Sequence, residues 1–69
     1  MGLEMKIRVN GRDIEFIKKT VSDLLKLYRF DPDKIMVERN GSIVEKEEYD
    51  TLQLQEGDVI EIARFVGGG

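Results

Sequence analysis

The chain contains neither cysteine nor histidine. Disulfides, thiol nucleophiles, imidazole bases and the common zinc sites are therefore excluded together. Clustered cations are also missing: 11 Lys and Arg stand against 14 Asp and Glu, for a net charge of -3, and the longest basic block is Lys18-Lys19. Phosphate binding along a nucleic acid needs a basic patch, so no nucleic-acid partner is expected. No apolar run approaches the roughly 20 residues of a membrane helix, and there is no signal-peptide core. The expected location is the cytoplasm, with no membrane partner. Met1-Gly2 opens like a myristoylation site, but Lys6 stands where that motif needs Ser or Thr. Met5 offers a second start, so residues 1–4 need not be native.

What is present suffices for one small core. The 69 residues are 41% hydrophobic and 36% charged, the balance of a soluble globular domain too short to divide. Leu3, Met5, Ile7 and Val9 alternate with charged residues, the period of a strand with one buried face. Asn10-Gly11 then matches a two-residue type I′ turn, whose central positions both need positive φ. That turn predicts Val9 opposite Arg12, Ile7 opposite Ile14 and Met5 opposite Phe16, which puts the apolar residues of both strands on one face. Thr20 precedes a helical stripe of Val21, Leu24, Leu25 and Tyr28, with Asp23 placed to complete a capping box. Asp31-Pro32 predicts the helix end, after about three turns. Ile35 and Val37 lead into a second Asn-Gly at Asn40-Gly41, followed by Ile43 and Val44, with Val37 facing Val44. Tyr49, Leu52 and Leu54 are expected to anchor a loop containing a single helical turn. After a turn at Gln55–Asp58, a last strand runs from Val59 to about Phe65 with Ile60 and Ile62 inward.

The order ββαβββ with one helix specifies an α+β domain of about five strands. A central first strand parallel to the last, flanked by two antiparallel hairpins, is the β-grasp (ubiquitin-like) arrangement. It is expected over residues 1–66, with 67–69 as a flexible tail.

Few residues offer chemistry of their own. Carboxylate pairs such as Glu47-Glu48, or Asp31 with Asp33, stand beside turns where acidic residues ordinarily cap and solubilise. Ser22 and Ser42 have no histidine to activate them, and no glycine-rich loop joins a strand to a helix. Neither catalysis nor ATP binding by this chain is expected. The exception is Gly67-Gly68-Gly69, separated from the last strand by Arg64-Phe65-Val66. Glycine lacks a Cβ, so such a tail threads a narrow channel and carries a terminal carboxylate into another protein's active site. A carboxylate is a poor electrophile until adenylated; sulfur then displaces AMP.

The ordered set of features resembles the ThiS family of sulfur carriers for thiazole formation in thiamine biosynthesis. The matching residues are Asn10-Gly11, Thr20-Val21 with Leu24-Leu25, Val37-Glu38 with Asn40-Gly41 and Ile43-Val44, Glu56-Gly57-Asp58, and Val59 through the Val66-Gly67-Gly68-Gly69 end. The resemblance implies that Gly69 is adenylated by a ThiF-like enzyme, which holds the ATP and magnesium. A sulfur-donor enzyme then supplies cysteine-derived sulfur for a thiocarboxylate, which thiazole synthase consumes. It implies a non-enzymatic carrier, expected to be monomeric when free. MoaD-like carriers for molybdopterin, carriers for tRNA thiolation, and a non-covalent β-grasp adaptor are alternative readings. Gly67 and Gly68 are the expected threading segment, and Ala63, Arg64, Phe65, Val66 and Leu54 the expected partner interface. Phe65 is the aromatic anchor, and Arg64 a residue that steers toward an acidic groove.

Overall fold

The computed structural model describes residues 4–65. The strands are β1 (Met5–Val9), β2 (Arg12–Phe16), β3 (Ile35–Arg39), β4 (Ser42–Val44) and β5 (Val59–Arg64). A single α-helix, α1 (Val21–Tyr28), and two 3-10 turns, Pro32–Lys34 and Lys46–Glu48, complete the described elements. The sheet order is β2-β1-β5-β3-β4. All pairs are antiparallel except β1 with β5, which is parallel. This is the expected β-grasp topology.

Both hairpin registers follow from their Asn-Gly turns. Met5 lies opposite Phe16, Ile7 opposite Ile14 and Val9 opposite Arg12, while Val37 faces Val44. Asn10 and Asn40 have φ of 51° and 52°, and Gly11 and Gly41 follow at 83° and 88°, the mirror-image turn that twisted strands favour. A slip of one residue would turn each apolar face to water, so pattern and turn enforce the same register.

One face of the sheet is covered by α1. Val21, Leu24 and Leu25 on the helix pack among Ile7, Val9, Phe16, Ile35, Val37, Ile60 and Ile62, all buried. Met5 and Ile14, near the edge of the covered face, are partly buried against the same cluster. At the helix start, Thr20 Oγ1 accepts from the Asp23 amide while Asp23 Oδ2 accepts from the Thr20 amide, each at 3.2 Å. This reciprocal box satisfies two orphan N–H groups.

The helix is shorter than the expected three turns, and its stop lies upstream of Asp31-Pro32. Arg29 takes the left-handed conformation, φ 61°, and its amide donates to Leu25 and Lys26 carbonyls. The Phe30 amide donates to the Leu25 carbonyl at 2.9 Å, and the Phe30 ring packs against the core cluster. This is the six-to-one closure of a helix end with its hydrophobic contact, made here without glycine. Pro32 instead begins the next 3-10 turn, which Asp31 caps by accepting from the Asp33 amide at 2.9 Å.

The segment between β4 and β5 is the expected anchored loop. Its single turn, Lys46–Glu48, is followed by buried Tyr49, whose carbonyl accepts from the Ser22 amide at 2.8 Å. Burial pushes the Tyr49 hydroxyl above its ordinary pKa, with the Glu45 charge adding to the shift. No described helix is long and apolar enough to cross a membrane.

Candidate functional site

The three glycines at the end of the sequence follow β5 closely in the chain, so the way β5 is held bears on them directly. On one side, β5 pairs with β3 along the whole of that strand, from Arg39 opposite Ile60 to Ile35 opposite Arg64. The pairing continues one residue further, where the Phe65 amide donates to the Lys34 carbonyl at 3.0 Å. On the other side, β1 ends early: its ladder with β5 covers only Val59 and Ile60.

Asn10 makes up the difference. Its amide donates to the Ile60 carbonyl at 2.9 Å. Its side chain then accepts from the Ile62 amide at 2.7 Å and donates to the Ile62 carbonyl at 3.2 Å. A carboxamide carries one donor face and one acceptor face, so it substitutes for a further strand residue. Asn40 acts in the same way at the other hairpin: its amide donates to the Val59 carbonyl, and its Oδ1 accepts from the Val59 amide, both at 2.8 Å. Each Asn-Gly pair is thus a turn and a stitch onto β5. The sequence shows only the first role, because the second needs the two hairpins to flank the same strand.

The start of β5 is fixed by Asp58, a residue of the Gln55–Asp58 turn whose carboxylate is buried. It accepts from Arg39 Nε at 3.0 Å, Asn40 Nδ2 at 3.0 Å and the Gln55 amide at 2.8 Å. Its carbonyl accepts from the Arg8 amide at 2.9 Å. The buried charge is thereby paired and hydrogen-bonded, the condition under which burying it is tolerable.

The expected interface residues divide. Ala63 and Phe65 have the parity opposite to that of buried Ile60 and Ile62; Ala63 is exposed and Phe65 is 60% exposed. Arg64 is also exposed, on the opposite parity, with its guanidinium carbon 5.9 Å from the centre of the Phe30 ring. Arg29, Phe30, Lys34, Arg64 and Phe65 line a groove at the root of the tail together with Asp31 and Ile35. Three cations against one carboxylate favour acidic groups there.

Leu54 does not belong to this surface. It is 3% exposed, part of the core, and its amide donates to the Lys19 carbonyl at 2.7 Å. A bridge between Thr20 and Gln53 draws the same loop against the helix start, which carries the side chain inward. Val66, Gly67, Gly68 and Gly69 lie outside the described residues. Among the described residues, no group of three or more metal-ligating side chains is arranged to hold a metal ion.

A five-stranded sheet clasping one helix, with the end of a central strand carried past its neighbour, defines a β-grasp domain. The chain belongs to the ThiS family, whose model matches residues 7–69. It is 43% identical over 65 residues to the sulfur carrier protein ThiS of Bacillus subtilis, covering 91% of this chain and 98% of that protein. A thiazole synthase of Magnetococcus marinus is 41% identical over 66 residues, covering 94% of this chain but only 20% of that longer protein. Among solved structures, the crystal structure of the thiamine biosynthesis protein ThiS from Geobacter metallireducens superposes with a TM-score of 0.81 at 30% identity. The match covers 94% of this chain and all of that one.

Proposed function

We propose that this chain is a sulfur carrier of thiamine biosynthesis, with the Gly69 carboxylate as the group that reacts. A carboxylate oxygen attacks the α-phosphorus of ATP on a ThiF-like enzyme, pyrophosphate leaves, and an acyl adenylate results. Sulfide-level sulfur delivered by a sulfur-donor enzyme then attacks the acyl carbon, AMP leaves, and the resulting thiocarboxylate passes its sulfur to thiazole synthase. ATP and magnesium belong to the activating partner. The chain is a co-substrate in these steps and catalyses none of them.

The observation that carries this reading is the anchoring of β5. Hydrogen bonds with Asn10, Asn40 and the Lys34 carbonyl fix the strand up to Phe65, four residues before Gly69. Such a domain delivers a chain terminus from a rigid starting point, which lowers the ordering cost of docking. The family match, which reaches Gly69, and the thiazole synthases that contain a similar segment both favour thiamine over the other sulfur pathways.

Intact mass spectrometry tests the proposal. After incubation with the cognate activating enzyme, ATP and a sulfur donor, the chain should gain the mass of one oxygen-to-sulfur exchange, confined to its C-terminal peptide. Extension by one residue beyond Gly69 should abolish the gain. No mass change, together with unimpaired function after deletion of Gly68 and Gly69, would overturn the reading.

A further inference from the structure

The face of the sheet away from α1 divides into two unlike halves. On the β1–β2 half, opposite charges face each other across the strands: Lys6 lies opposite Glu15, and Arg8 lies opposite Asp13, with Arg8 Nε 2.7 Å from the Asp13 carboxylate. On the β5–β3–β4 half, the register places Glu38 directly opposite Glu61. Among the described residues, neither carboxylate has an ion-pair partner. Like charges directly opposite in a sheet destabilise it, so this arrangement works against the isolated domain.

The surroundings of this pair are mostly apolar, and Arg8, opposite Val59 on β1, is already held by Asp13. Ile43 lies opposite Glu38 on β4, and Met36 and Ala63 form the adjoining cross-strand pair. Val59 lies on the other flank, two residues before Glu61. Ile43 is 49% exposed, Val59 40% and Met36 38%, and the stripe runs through Ala63 to Phe65 at the root of the tail. Two carboxylates flanked by exposed aliphatic side chains have no role in the core. They match a protein surface that sets an arginine or lysine among apolar groups, where the charges would pair out of water.

From this contrast we infer that the β5–β3–β4 face is the docking surface for a basic-centred apolar patch on thiazole synthase, with Glu38 and Glu61 together receiving one of its cations. The inference rests on the proposed function, because it identifies how the partner that consumes the tail's cargo recognises the domain. Relatives in which a similar segment is part of a thiazole synthase keep the two on one chain, which favours that partner. Docking here aligns the partner with the strand that leads to Gly69.

The test is titration of the full chain with thiazole synthase at low and high salt, for the unaltered protein, E38Q/E61Q and Met36→Ser. The glutamine pair should bind about tenfold more weakly at low salt, with a flatter salt dependence. Met36→Ser should weaken binding and leave the salt slope unchanged. Removing the repulsion should raise the melting temperature of E38Q/E61Q by roughly 1–4 °C, so misfolding would not account for its weaker binding. Equal affinity and equal salt slope for the unaltered chain and E38Q/E61Q would overturn the inference. With the mass gain intact, that result leaves the carrier function standing. Failure of the unaltered chain to bind the synthase would remove both the docking surface and the thiamine reading.

Discussion

Replacing Asn10 by glycine separates the turn from the stitch. Glycine adopts the positive φ of this position freely, so Asn10→Gly keeps the hairpin and removes only the two side-chain bonds to Ile62. Each intramolecular hydrogen bond contributes about 0.5–1.5 kcal/mol net, and two give about 1–3 kcal/mol. The extra backbone freedom of glycine in the unfolded chain adds roughly 0.5–1 kcal/mol of destabilisation. The expected loss is therefore about 1.5–4 kcal/mol, which for a domain of this size lowers the melting temperature by roughly 6–30 °C. Thermal and urea unfolding measure the total. Hydrogen exchange at the Ile62 amide locates it, because that amide should lose protection while the β3–β4 amides keep theirs. A loss below about 0.5 kcal/mol with Ile62 still protected would refute the stitch, since the lower limit for two bonds is about 1 kcal/mol.

Two further outcomes follow from the same contacts. Asp58→Ala leaves the partly buried Arg39 guanidinium, the Asn40 amide and the Gln55 N–H without their acceptor, and should cost about 3 kcal/mol in urea unfolding; Asp58→Asn, which keeps an acceptor, should cost clearly less. In acid, backbone hydrogen bonds from Lys19 and Thr20 hold the Asp23 carboxyl below the usual carboxylate range, followed in size by smaller effects that include the Thr20 hydroxyl. The folded state therefore binds this proton less readily than the unfolded one. The stabilisation is full above the ordinary carboxylate pKa of about 4 and is lost as pH falls through the lower folded value, so the acid slope of stability should flatten in Asp23→Asn.

Much of the fold was legible because local signals agreed with each other. At Asn10-Gly11 and Asn40-Gly41 the turn type set the register, and the alternation of apolar residues independently demanded the same one. Thr20 and Asp23 formed their box as their spacing predicts. What escaped sequence reading was tertiary. The helix ends at Arg29 because Phe30 is drawn to the core, a closure that ordinary residues made where proline seemed the natural stop. Leu54 is inward because its loop pairs with the helix start, a contact between residues far apart in the chain. Asp58 appeared to be a turn residue, and its partners Arg39 and Asn40 come from a different hairpin. At the candidate site, the outward parity of Ala63 and Phe65 could be read from strand alternation, whereas the side-chain bonds that fix the strand beneath them could not.

The hydrogen bond from the Phe65 amide to Lys34 also sets a length. From the Phe65 amide to the Gly69 carbonyl the chain runs through five residues, and a fully extended chain spans at most about 3.3–3.6 Å per residue, so that carbonyl lies no more than about 18 Å from the anchor. The domain is therefore a depth gauge. On the proposed function, an enzyme that acts on Gly69 keeps its reactive centre within that distance of the surface on which the domain rests, and one that buries its chemistry deeper is out of reach however well it binds.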